Sequence, residues 1–289
     1  MKKLLTLMLT VLLALTAAFG FAGCNKEKLT GFDIELAREV VAYLNEENDT
    51  KIKIEFQEID WDSKEALLEN GTIDLVWNGM TITPARATEM CVSIPYLYNK
   101  QVAVVRAADA SKYNGSSLEN LVAFTTATFG AEAGSAGEGV INTMFVSTMN
   151  VEYISSKSQL DALTSLDNGN IDVAVIDSVM AGYYTSQGTY KGKLSIVNDL
   201  VLAQEEYGIA AKQGNFALVS KINDALIALR TTKYAKVAAD FGLTSSIAIT
   251  ENTINPLSAF AVDGSWDKVV ESGKLIIGYT VFAPIAYTK

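Results

Sequence analysis

Three observations predict an α/β fold of two Rossmann-like lobes joined by a two-strand hinge. The stretch LLENGTIDLVWNGMTITPAR (67–86) reads as a helix end stopped by Asn70-Gly71, a buried strand over 73–77, and a loop carrying Gly79, Thr81 and Thr83 before Arg86. Further along, LDNGNIDVAVID (166–177) echoes it: a helix stopped by Asn-Gly, then Ile-Asp, then a short apolar strand, here ending on Asp177. Finally, the chain leaves the first unit through a mixed polar passage at 107–120 and returns along a strand at 207–211. Two crossings between two compact units imply a hinge.

Taken in order, residues 1–24 stand apart from the fold. Lys2 and Lys3 precede an apolar run over 4–21, and Ala22-Gly23-Cys24 closes it. A basic start, an apolar middle and small residues at the cut describe a secretory signal. The cysteine directly after Ala-Gly resembles the lipobox of bacterial lipoproteins, which would make Cys24 the lipidated first residue of the mature chain. Phe21 departs from the leucine usual at that position, and an uncleaved anchor helix is the alternative. On either reading, the rest works outside the cytoplasmic membrane.

After an extended arm at 28–31, Asp33 is expected to N-cap the amphipathic helix IELAREVVAYLNEE. Residues 51–56 alternate as a half-exposed strand does, and Trp61 follows in a polar turn. Residues 101–106 read as a β-branched strand. The small-residue turn at 132–137 leads into a helix and leaves backbone N–H groups free for an anion. Helices are expected at 216–231 and 234–241. Trp77, which alternates with Leu75, is expected in the core, as are Tyr183 and Tyr184.

Composition excludes as much as it suggests. The 289 residues are 49% hydrophobic with a formal net charge of −10, and no basic cluster suits nucleic acid. The chain has no histidine, so a Ser-His-Asp triad, a Cys-His pair and a histidine metal site are excluded. With Cys24 lipidated, Cys91 would be the one remaining thiol, read as buried, and no internal disulfide could form. No cofactor or metal is expected.

Ligands of open α/β sheets sit beyond the carboxyl ends of strands, where Gly79, Thr81 and Arg86 fall. Glycine lets backbone approach, threonine offers a hydroxyl, and the guanidinium fork matches a carboxylate bidentately. Asp177 ends the second strand, although it could instead cap the helix SVMAGYY that follows.

The motifs GFDIELA (31–37), WNGMTITPAR (77–86), SIPY (93–96), EAGSAGE (132–138), NGNIDVAVID (168–177), EEYGIAAKQG (205–214) and GKLIIGYTVFAPIAY (273–287) resemble the periplasmic amino-acid-binding proteins of ABC importers, solute-binding family 3. The resemblance implies a periplasmic binding protein-like II fold and a free polar amino acid as ligand. It also implies ABC permease transmembrane subunits as partners, with the membrane reached through the lipid anchor. Arg86 would clamp the ligand α-carboxylate, helped by Asn78, Gly79 and Thr81, and Asp177 would hold the α-ammonium. Ser135 and Ala136 would reach the same carboxylate from the second lobe. Trp61 and Phe282 would flank the side chain, and Glu132 matches a variable position that sets specificity. No catalytic residue is expected. The alternative is an enzyme of the same fold, a cyclohexadienyl- or arogenate-type dehydratase, with Glu132 as its acid or base.

One departure is large. The stretch SWDKVVESGKLIIGYTVFAPIAYTK comes first in that family and last here, at 265–289, so the chain reads as a circular permutation. The expected division is a signal peptide (1–24), lobe 1 (25–106), lobe 2 (107–200), the return to lobe 1 (201–244), a linker (245–264) and the permuted segment (265–289). The tail would insert into the first lobe's sheet within one chain. Exchange between two molecules and an incomplete second copy are the alternatives.

Overall fold

The computed structural model describes residues 28–114, 118–186 and 189–289. The signal segment and Cys24 lie outside the described residues. Leu29–Tyr287 form one compact unit. Lys28 and Lys289 belong to a second, small one, where they exchange backbone hydrogen bonds of 2.8 and 3.1 Å. Among the described residues, no helix is long and apolar enough to cross a membrane.

Ten strands form a mixed sheet. In chain order they are β1 (Lys53–Glu58), β2 (Leu75–Thr81), β3 (Met90–Val92), β4 (Leu97–Arg106) and β5 (Thr128–Glu132), then β6 (Glu152–Ser156), β7 (Val173–Asp177), β8 (Leu194–Ile196), β9 (Ala203–Lys212) and β10 (Lys274–Tyr279). Across the sheet the order is β1-β10-β2-β9-β4-β7-β5-β6, with β3 beside β9 and β8 beside β4. The first lobe holds the parallel strands β1, β10 and β2, and the second holds β7, β5 and β6. The two long antiparallel strands β4 and β9 connect them, pairing from Ala203 opposite Gln101 to Tyr207 opposite Leu97. The return crossing is the strand anticipated around 207–211, whereas the outgoing one is β4 itself and not the polar passage at 107–120, which lies beyond it.

The C-terminal strand β10 lies between β1 and β2 of the same chain. Leu275 and Ile277 are buried on one face of the strand, and Ile276 on the other is half-buried against the cluster that holds Trp61. The chain beyond β10 returns to the start of helix α1 (Phe32–Asn48), where the Phe32 and Asp33 amides donate to the carbonyls of Pro284 (2.9 Å) and Ile285 (3.0 Å). Gly31, at φ +130°, has no room for a side chain, because a Cβ would sit 2.2 Å from the Ile285 carbonyl oxygen. Within this chain the tail therefore completes the first lobe's sheet.

Several local expectations are corrected. The strand placed at 73–77 runs from Leu75 to Thr81, so Asn78, Gly79 and Thr81 lie on a strand rather than in a loop. Pairing with β9 on one side carries it further than its apolar run suggests. Asp33 does not cap α1: Gly31 is the N-cap, and the Asp33 carboxylate turns inward, accepting from the Gly79 amide (2.7 Å) and the Tyr96 hydroxyl (2.8 Å). Burial pushes this acid up to about 7 against those hydrogen bonds. Trp61 opens a short 3-10 turn and is buried over Leu68, Ile73 and Met80, since the polar segment around it folds back onto the sheet. Trp77 and Tyr184 are core residues, and Cys91 is buried with its thiol pushed up to about 12 by desolvation.

Candidate functional site

The carboxyl ends of parallel strands from both lobes converge on one cleft. From the first lobe, the chain after β1 delivers Trp61, the end of β2 delivers Asn78, Gly79 and Thr81, and the chain after β10 delivers Thr280 and Phe282. From the second, β5 ends on Glu132, β7 ends on Asp177, and Ser135 N-caps the short helix α4 (Ala136–Val140). All ten predicted site residues line this cleft, together with Gln159 and Thr280, which the sequence reading did not name.

Arg86 lies on helix α3 (Pro84–Glu89), which starts where Thr83 caps it and Pro84 takes the first position. The guanidinium is buried. Its Nη1 donates to the Thr81 carbonyl (2.8 Å) and its Nη2 crosses the cleft to the Gly134 carbonyl (2.8 Å). Burial pulls its pKa down, opposed by Glu65, Glu205, Asp177 and Glu132. A second buried cation, Lys64, was not foreseen. It sits over the Trp61 ring at 4.9 Å, donates to the Trp61 carbonyl (3.0 Å) and pairs with Glu65 at 3.1 Å.

Asp177 faces the cleft from the opposite lobe. One carboxylate oxygen accepts from Asn99 and, at 2.8 Å, from Gln101; the other accepts from Gln159. It does not cap the following helix; the Ser178 hydroxyl and the Val179 amide donate instead to the side-chain Oδ1 of Asn99 (3.0 and 3.4 Å). Desolvation raises its pKa, and the three amides and Tyr207 work against that. Glu132 is 4% exposed and is pushed up to about 8, chiefly by desolvation and then by Asp177, with Lys64, Gln159 and Arg86 pulling the other way. A cation fixed in one lobe, an acid held by three amides in the other and two aromatic rings between them make a receptacle for a small zwitterion.

Two backbone details hold the first-lobe wall. Asn78 docks its amide on Thr280: turned to satisfy both groups, its nitrogen donates to the Thr280 carbonyl (3.2 Å) and its oxygen accepts from the Thr280 amide (3.3 Å). The C-terminal segment is thereby fastened to the site. Gly79 adopts φ +60°, and a Cβ there would meet Phe282 at 2.8 Å and Tyr207 at 3.0 Å. Gly79→Ala is thus expected to cost about 1–3 kcal/mol of stability from the left-handed backbone and the displaced rings, read as a fall in melting temperature of several degrees. An unchanged melt would show that the ring positions do not depend on this glycine.

Gln159, Lys64 and Glu205 escaped sequence reading. Gln159 is the first residue of helix α5 (Gln159–Asp167) and resembles any polar residue after a Ser N-cap. Lys64 sits in a run of charges that reads as solvated. Glu205 carried a usable signal: it lies two residues before Tyr207 on a strand whose odd positions point inward.

The family model for bacterial extracellular solute-binding proteins, family 3, matches residues 9–244, and the chain belongs to that family. It is 31% identical over 219 residues to a probable histidine-binding protein of Neisseria gonorrhoeae, covering 75% of this chain and 76% of that one. Among solved structures, an ancestral arginine-binding protein bound to arginine superimposes with a TM-score of 0.64 at 30% identity, covering 77% of this chain and 92% of the other. An ABC uptake transporter substrate-binding protein from Streptococcus pneumoniae with bound histidine gives 0.65 at 30% identity, covering 75% and 85%.

Proposed function

We propose that this chain is an extracytoplasmic receptor that closes its two lobes on a polar amino acid and delivers it to the transmembrane subunits of an ABC importer. One observation carries the reading: Arg86 and Asp177, opposite in charge and in opposite lobes, line one cleft. Arg86 would take the α-carboxylate with the Thr81 hydroxyl and the turn at Ser135–Ala136, while the Gly79 amide stays with Asp33, and Asp177 would take the α-ammonium. Trp61 and Phe282 would flank the side chain, with Glu132 and Gln159 choosing among polar ones. Binding makes and breaks no bond; the attraction between matched charges, strengthened as lobe closure excludes water, offsets their desolvation and shifts the population toward the closed form. The names of the relatives, which bind histidine or arginine, support an amino acid as ligand.

Two finer proposals accompany it. The basic start, apolar run and Ala-Gly-Cys at 22–24 support lipid anchoring through Cys24. The family match ends at 244 while the tail completes the sheet, which supports a circular permutation whose new ends fall beside each other.

A thermal-shift screen of residues 25–289 against the common amino acids tests the function. A ligand that binds only the folded state stabilises it by about 2.7 kcal/mol at a hundredfold excess over Kd. The expected result is a clear rise with one or a few polar amino acids. A cooperative melt that none of them moves would count against the receptor and turn attention to dehydratase assays, with Glu132→Gln as the control.

A further inference from the structure

Strand β9 carries a carboxylate that the receptor reading leaves unused. Glu205 lies opposite Asn99 on β4, diagonal to Gln101, and shares its face of the hinge ribbon with Tyr207. The Thr81 hydroxyl lies against Glu205 Oε2, while Glu205 Oε1 is buried with no donor in hydrogen-bond geometry among the described residues. The Arg86 guanidinium from α3 and the Asp177 carboxylate from β7 face the same group, and the Gln101 amide approaches it from β4. Glu206 and Lys100 alternate to the other side of the ribbon.

A threonine hydroxyl has one hydrogen to give. While Glu205 is ionised it can only accept, so that hydrogen belongs to Glu205 and the Thr81 oxygen shows a second carboxylate nothing but lone pairs. When Glu205 holds a proton, its own O–H donates to the Thr81 oxygen and frees the Thr81 hydrogen for the ligand. We propose that Glu205 is a proton switch built into the hinge: the amino acid is held by the protonated form, and binding above neutral pH takes up a proton from solvent. The inference rests on the receptor reading and adds a residue and a linkage to it. Burial, and then the charge of Asp177, push Glu205 up to about 7 against Thr81, Gln101 and Arg86, which places the switch near neutrality.

The sign follows. Because the protonated form binds, Kd is lowest at low pH and rises, by up to about tenfold per pH unit, once Glu205 ionises in the free protein. Calorimetric titration of residues 25–289 over about pH 6 to 9, in two buffers of different ionisation enthalpy, tests this with whichever of L-histidine, L-glutamine and L-arginine moves the melt. The expected result is a rising Kd with proton uptake approaching one. The slope should fall by close to one in Glu205→Gln while surviving in Glu132→Gln, which removes a second acid of the cleft that titrates in this range. Should Glu205→Gln fail to fold, Thr81→Val serves instead, because without the hydroxyl the slope should fall likewise. A flat parental profile, or a slope unchanged in Glu205→Gln or Thr81→Val, overturns the switch and leaves the receptor standing. Binding of none of the amino acids overturns both.

Discussion

Deletion of residues 265–289 is expected to leave a chain with no cooperative melt. The segment supplies β10, a strand in the interior of the first lobe's sheet. Its loss strips backbone partners from both neighbours: the Ile59 amide from the Tyr279 carbonyl (2.9 Å) and the Asp74 amide from the Ile276 carbonyl (2.9 Å). It also removes the buried side chains of Leu275, Ile277, Phe282 and Ile285. Each is worth about 1.5–3 kcal/mol on burial. A few such side chains already approach the whole stability of an ordinary domain, about 5–15 kcal/mol. Two unpaired sheet edges would be opened as well, so aggregation is the expected fate. Circular dichroism melting checks this, and a sharp transition at the parental temperature would show the tail to be dispensable.

The second large effect concerns binding alone. Arg86→Ala is expected to weaken every amino acid ligand by about 30-fold to several thousand-fold, the range for removing one partner of a buried charge pair. Its cost to the fold is smaller, since the guanidinium's hydrogen bonds go to the carbonyls of Thr81 and Gly134 and to no other core group. Glu132→Gln should instead reorder preferences among ligands. Calorimetry on both variants distinguishes the roles, and an Arg86→Ala protein that binds like its parent would remove the carboxylate clamp from Arg86.

The fold was legible wherever a local rule had a single outcome. Asn70-Gly71 and Asn168-Gly169 stop helices ahead of buried strands, and those strands end at the cleft. The GKLIIGY segment could be placed in a sheet because Leu275-Ile276-Ile277 is a short apolar run between Gly273 and Gly278. Errors arose where a long-range contact decided the outcome. Asp33 looks like an N-cap from its neighbours, yet Gly79 and Tyr96, distant in sequence, draw its carboxylate inward. Strand β2 outruns its apolar stretch because β9 pairs with Thr81 and Met80. In the site, strand-end residues were readable, whereas Lys64, Gln159 and Glu205 were hidden in charged or polar runs whose burial depends on contacts distant in sequence.

The central claim is that one cleft reads the two α-groups of an amino acid, with Arg86 on the carboxylate and Asp177 on the ammonium. The most direct test is to titrate residues 25–289 with the amino acid that binds best, then with the decarboxylated amine and the deaminated acid of the same side chain. The account predicts saturable one-to-one binding of the amino acid and loss of most affinity with either analogue. Binding of the amine or the acid as tight as that of the parent amino acid would contradict it.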